Sequence, residues 1–99
     1  MRVVFRNRAL QAAYEDADTG IRRWGPIVAR KYVQRIEALY AAQNFDEIRR
    51  IRAFEVHELQ GQQKGEWGIT LTRRSRLIVI PLEEEKAVRV EEVNKHYGD

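Results

Sequence analysis

Residues 54–80, FEVHELQGQQKGEWGITLTRRSRLIVI, decide how this chain is read, because the spacing of apolar residues changes there from helical to extended. Trp67, Ile69 and Leu71 alternate with Glu66, Gly68, Thr70 and Thr72, the period of a strand with one buried and one polar face. Leu77, Ile78, Val79 and Ile80 are apolar on both faces, as in a central strand, and Pro81 is expected to end that run because it has no N–H for a ladder. The same stretch carries His57, Lys64, Arg73, Arg74 and Arg76, more cations than a core requires. With the second and last histidine, His96, this is the composition of a site that handles phosphate.

Further along, Val88 and Val90 alternate with Arg89 and Glu91, and the pattern slips at Glu92 and Val93, which marks a bulge or the end of a strand. The connections TRRS and LEEEK are short enough for antiparallel hairpins. Before residue 54 the pattern is helical. Arg2–Phe5 reads as a leading strand, and Leu10, Ala13, Tyr14 and Ala17 fall at helical spacing until Thr19 and Gly20 interrupt them. A clearer helix opens at Pro26, where a missing N–H costs nothing; Tyr32, Val33, Ile36, Leu39 and Tyr40 face inward, with Arg30, Lys31, Gln34, Arg35 and Glu37 outward. Asn44 followed by Glu47 caps a short helix through about Ala53, with Arg49, Arg50 and Arg52 largely outward. The expected fold is α+β over a single domain, 1–99: two or three N-terminal helices packed on a small, mainly antiparallel sheet, in the order β-α-α-β-β-β.

Composition narrows the function classes. At 43% hydrophobic and 33% charged residues the chain is neither a disordered polyelectrolyte nor a membrane protein. The start, MRVVFRNRAL, lacks the apolar region of a secretion signal, and with no cysteine the chain suits a reducing interior, so a cytoplasmic location is expected. Net charge is +3, and between Ile21 and Phe54 lysine and arginine outnumber acids by eight to three, whereas Glu83, Glu84, Glu85, Glu91 and Glu92 follow Pro81. A basic side of this kind attracts nucleic acid or an acidic protein partner.

The element order, the string HELQGQQKGEWGI, the RLIVI strand, the ending VEEVNKHYGD and the early pattern Phe5, Leu10, Tyr14, Glu15 together resemble the HigB branch of the RelE/ParE superfamily of bacterial toxins, the plasmid maintenance killer proteins. The resemblance covers nearly the whole chain. It implies a toxin of a type II toxin–antitoxin system that cleaves messenger RNA on the ribosome, without a cofactor, restrained by a HigA-like antitoxin with a helix-turn-helix domain. Residue by residue, His57, Lys64, Gly65, Trp67, Arg76 and His96 match the family pattern. Gln60 and Thr70 stand where relatives have lysine and arginine, and Asn94 and Lys95 replace the usual Asp-Tyr before the terminal histidine, with Tyr97 following it instead.

RNA brings its own nucleophile, the 2′-hydroxyl, so cleavage needs a base for that proton, an acid for the 5′-oxygen and cations for the charge on phosphorus. His96 is the candidate acid or base, since its ordinary pKa is about 6.5. Arg76 on a rigid strand is the candidate phosphate clamp, and Lys64 a proton carrier or phosphate ligand. Arg73, Arg74 and Lys95 would hold the backbone, with Trp67, His57 and Tyr97 as further RNA contacts. Trp67 also suits core packing, and Arg76 also suits a salt bridge to Glu66 or Glu91. Two histidines 39 positions apart define no metal site. Two other functions fit the same residues: a ParE-type gyrase poison without catalysis, and a degenerate toxin that only binds its antitoxin.

Overall fold

The computed structural model describes residues 1–61 and 65–95. Strand β1 (Arg2–Phe5) leads into α1 (Arg8–Glu15), α2 (Ala17–Trp24), α3 (Pro26–Ala41) and α4 (Phe45–Arg49). A 3₁₀ turn (Arg52–Phe54) then precedes β2 (His57–Glu58), β3 (Trp67–Thr72), β4 (Ser75–Leu82) and β5 (Ala87–Asn94). The strands form one sheet in the order β1-β5-β4-β3-β2, with β1 parallel to β5 and the other pairs antiparallel. The α+β class and the closing meander of β3, β4 and β5 are as expected; β2 and the parallel β1–β5 pairing are additions. No helix among the described residues is long and apolar enough to cross a membrane.

Local chemistry sets the helix starts. Asn7 accepts from the N–H of Leu10 at 2.9 Å to open α1, and Asn44 accepts from the N–H of Glu47 at 3.1 Å to open α4. The break expected at Thr19 and Gly20 falls instead at Asp16, which ends α1 and accepts from the hydroxyl of Thr19 at 2.8 Å as α2 begins. Gly20 lies inside α2, buried, where a Cβ would come within 3.2 Å of the Ala29 Cβ and 3.3 Å of the Ala13 carbonyl oxygen. The glycine therefore serves the close approach of α2 to α1 and α3 and does not stop a helix. At Gly25 a φ of 84° does turn the chain, into Pro26 at the start of α3. Helix α4 ends at Arg49, before the expected Ala53, and the 3₁₀ turn at Arg52–Phe54 follows it.

The core lies between α3 and the sheet. Tyr32, Ile36, Leu39, Phe45 and Ile48 meet Ile69, Leu77, Val79, Val88 and Val90, all essentially out of water, each burial contributing about 1.5–3 kcal/mol for the larger side chains. The Tyr32 hydroxyl donates to the Leu10 carbonyl at 2.7 Å, tying α3 to α1, and burial pushes its pKa well above the ordinary value. Arg35, expected outward, is only 7% exposed. Its Nε donates to the Thr70 carbonyl at 3.0 Å and its guanidinium sits 4.3 Å from the Phe54 ring centre, while burial lowers its pKa. The reason is β2, which pairs only with Trp67 and Gly68, so the Thr70 carbonyl faces an open edge and needs another donor.

Two features of β4 and β5 differ from simple alternation. Pro81 does not end β4; it pairs with Val88 and the strand runs to Leu82. Pairing with β3 reaches only Val79, so Pro81 sits where β4 has a single neighbour and its missing N–H is harmless. In β5 the slip is a bulge: Ile78 opposes Glu92 while Val79 opposes Val90, leaving Glu91 extra.

The β4–β5 turn holds Glu83, Glu84 and Glu85 at φ of 53°, 55° and 72°, left-handed backbone that side chains disfavour. Contacts on either side pin it. Arg49 donates to both carboxylate oxygens of Glu85, at 2.8 and 2.7 Å, which raises the Arg49 pKa, and the Phe45 N–H donates to the Glu85 carbonyl at 2.8 Å. Arg2 pairs with Glu83. Arg49, expected largely outward, thus lies half-buried, 5.4 Å from the Phe45 ring centre and 5.1 Å from that of Trp67.

Two outcomes follow from these contacts. Glu84 is exposed, so Glu84→Gly should remove strain worth about 1–2 kcal/mol while adding about 0.4–1 kcal/mol of unfolded-state entropy. The net gain should raise the melting midpoint by a few degrees, and an unchanged or lower midpoint in a thermal scan would contradict it. In the unfolded chain Tyr32 ionises near pH 10, whereas in the fold it must stay protonated; stability is therefore complete below about pH 10 and falls as pH rises further. Tyr32→Phe should lower stability by about 1 kcal/mol at neutral pH and flatten that alkaline decline. Urea midpoints from about pH 8 to 11 measure both, and parallel curves for the two proteins would count against the assignment.

Candidate functional site

The helices cover one face of the sheet. Directly opposed residues on neighbouring strands share a face, so the register defines what the other face carries. Thr70, Arg76 and Asn94 form one row across β3, β4 and β5. The next row is His57, Gly68, Ile78 and Glu92, about 7 Å away along the strands. Ile78 is 2% exposed although it points away from the helices, and the ends of the Ile78 and Leu59 side chains both lie within 4 Å of where a Cβ on Gly68 would be. Those two residues and Gly68 give this face a short apolar floor with Arg76 at its edge.

Arg76 is held by its own hairpin. Its Nη1 donates to the carbonyls of Thr72 at 2.9 Å, Ser75 at 3.1 Å and Arg73 at 3.3 Å, curling the guanidinium over the β3–β4 turn. Arg73 and Arg74 occupy that turn and are exposed. Lys95, just past β5, donates from Nζ to the Trp24 carbonyl at 3.3 Å, where a cation is favoured by the C-terminal end of the α2 dipole. Glu91 engages Arg89. The Thr70 hydroxyl donates to Glu55 at 3.4 Å, and the Thr70 carbonyl is the group that Arg35 caps.

The sequence candidates divide accordingly. Arg76 and His57 share the open face, about 10 Å apart across two strand spacings and a further row, about 7 Å, along the strands. Arg73, Arg74 and Lys95 gather at the same end of the sheet. Trp67 does not join them: it lies on the helix side at the other end, half-buried, with an edge contact to Phe45 at 5.7 Å, which matches the packing alternative given for it and not an RNA contact on this face. Its alternation with Ile69 and Leu71 puts it on their face. Lys64, His96 and Tyr97 lie outside the described residues. Asn94, Thr70 and Arg35 were not read as site residues; the slip at Glu92 and Val93 was the signal for Asn94, since a bulge there turns it toward Arg76. Among the described residues no three His, Asp or Glu are grouped to hold a metal ion. Chemically, the row sets a fixed guanidinium beside an amide, donors of the kind that phosphate oxygens accept, next to the Thr70 hydroxyl that donates to Glu55.

A search of curated proteins gives no match. Among solved structures the chain is similar to the YoeB/ParE toxin from Agrobacterium tumefaciens, with 16% identity, a TM-score of 0.66 and coverage of 98% of this chain and 100% of that one. It is similar to YoeB in the YoeB–YefM complex from Staphylococcus aureus, with 10% identity, a TM-score of 0.62 and 98% of each chain covered. YafQ from E. coli, in mutant form, gives 18% identity and a TM-score of 0.64 over 96% of this chain and 93% of that one. These likenesses establish the fold. The model for the RelE-like toxin of the type II toxin–antitoxin system HigB matches residues 3–97. With nearly its whole length matched, the chain belongs to the HigB-like toxins of the RelE superfamily.

Proposed function

We propose that this toxin is a ribosome-dependent endoribonuclease that cleaves messenger RNA through the 2′-hydroxyl. The observation that supports this reading best is the pairing of Arg76 with Asn94, two residues before His96 in the chain, on the sheet face that the helices leave uncovered. Arg76 holds the scissile phosphate and neutralises its developing charge. His96 moves the proton of the 2′-hydroxyl or of the departing 5′-oxygen, with Lys64 as its partner or as a further phosphate ligand. The products are a 2′,3′-cyclic phosphate and a 5′-hydroxyl, and the 2′-hydroxyl as nucleophile makes a metal unnecessary. Arg73, Arg74 and Lys95 hold the backbone, and His57 and Tyr97 contact the RNA.

The partner in this reading is a HigA-like antitoxin with a helix-turn-helix domain, meeting the toxin in the cytoplasm. One of the similar structures, YoeB of Staphylococcus aureus, is a complex with YefM, which fits pairing with an antitoxin.

Induced expression of the wild type should arrest growth, and primer extension on a translated message should show new cuts at codon-fixed positions. Arg76→Ala and His96→Ala should each reduce those cuts by about 10²–10⁴-fold. Arrest without cuts points to gyrase instead, and no arrest points to a toxin that only binds its antitoxin.

A further inference from the structure

At the end of the sheet that carries Arg76, where Thr72 and Lys95 meet the α2–α3 junction, lies an open groove of about 400 Å³, within the ~300–1,000 Å³ range of clefts that take small ligands. Trp24, Gly25, Pro26 and Ile27 line it from the junction of α2 and α3, and Thr72 and Lys95 line it from the sheet. Its floor is apolar and its rim is cationic. Lys95 bonds the Trp24 carbonyl, and the Arg23 guanidinium lies 5.1 Å from the Trp24 ring centre, so the two cations flank one residue. Across Thr72 come Arg73 and the guanidinium of Arg76. The acids at the start of α2, the cap Asp16 and Asp18, sit at the opposite end of that helix, and the acidic turn 83–85 is at the far end of the sheet.

Ile27 is 64% exposed, an unusual placement for a large apolar side chain beside so many cations. A Cβ on Gly25 would meet nothing within 4 Å, so the shelf formed by Gly25, Pro26 and Ile27 is open. A surface with an apolar shelf and a cationic rim suits a polymer of flat bases on an anionic backbone.

We propose that this groove binds single-stranded RNA flanking the scissile bond, with backbone phosphates along Lys95 and Arg23 and one base laid on Ile27. The proposal rests on the nuclease reading and extends the strand's path from Arg76 to the end of α2. Arg23 and Ile27 are its new members.

The test is fluorescence anisotropy with the full chain and labelled 2′-O-methyl RNA, which lacks the nucleophile. Two lengths are compared, about twelve and about four nucleotides, spanning typical site sizes. Arg23→Glu should weaken binding of the longer RNA about tenfold and lower the slope of log affinity against log salt by about 0.7 for the phosphate lost. Ile27→Ala should weaken it several-fold without changing that slope. Neither should affect the shorter RNA, and Arg50→Glu, beside the acidic turn, should leave both unchanged. Thermal melts check the fold, and Arg23→Gln replaces the charge reversal if Arg23→Glu does not fold. Failure of the wild type to bind the longer RNA, equal losses from Arg23→Glu and Arg50→Glu, or equal competition by duplex DNA overturns the proposal. If translated messages are cut but RNA affinity ignores Arg23 and Ile27, the groove fails alone; if nothing is cut but affinity depends on them, the nuclease reading fails alone.

Discussion

A single extra residue, Glu91, lets β5 serve both faces of the sheet. Before the bulge, alternation buries Val88 and Val90 against the helices; after it, Val93 takes that side while Glu92 and Asn94 turn the other way. Unbroken alternation would have driven Glu92 and Asn94 into the core, at a cost of several kcal/mol for unpartnered polar groups. The bulge therefore joins a core-forming half-strand to a polar half-strand, and it brings Asn94 beside Arg76. Packing and the candidate site depend on the same local geometry.

The two ends of the sheet have opposite character. At one end three left-handed glutamates are fixed by Arg2 and Arg49, and through Arg49 and the Phe45 N–H they anchor α4. At the other, Arg73, Arg74, Arg76 and Lys95 surround the β3–β4 turn. Partial neutralisation at the acidic end and concentration of cations at the basic end give the molecule an axis along its strands. Such an axis orients an approaching polyanion before contact. The net charge of +3 understates this, because it sums over both ends.

Periodicity made the main elements legible: the alternation at Trp67–Thr72, the start of α3 at Pro26, and the slip in β5. The misreadings have separable causes. Gly20 reads as a breaker in one dimension and is a contact residue in three, since Ala29 and Ala13 are brought to it by the fold. Pro81 depends on how far β3 extends, which lies in the pairing and not in the local sequence. Arg35 was placed outward by its charge, yet a two-residue β2 leaves a carbonyl that only a long donor reaches. Of the candidate site, Arg76 and its turn stood out by residue type and Asn94 required the bulge, whereas the packing of Trp67 follows from its alternation with Ile69 and Leu71.

The pairing of β1 with β5 joins Arg2–Phe5 to Ala87–Val90, so the first strand made must wait for the last. At about 5–20 residues per second, roughly 4–17 s separate the synthesis of those partners. During that interval the sheet lacks one of its members and Asn94 has not yet been added beside Arg76. Both the first strand and Arg76 thus wait on one late-made element, β5, so closing the sheet edge and completing the Arg76–Asn94 row fall at the same stage of folding.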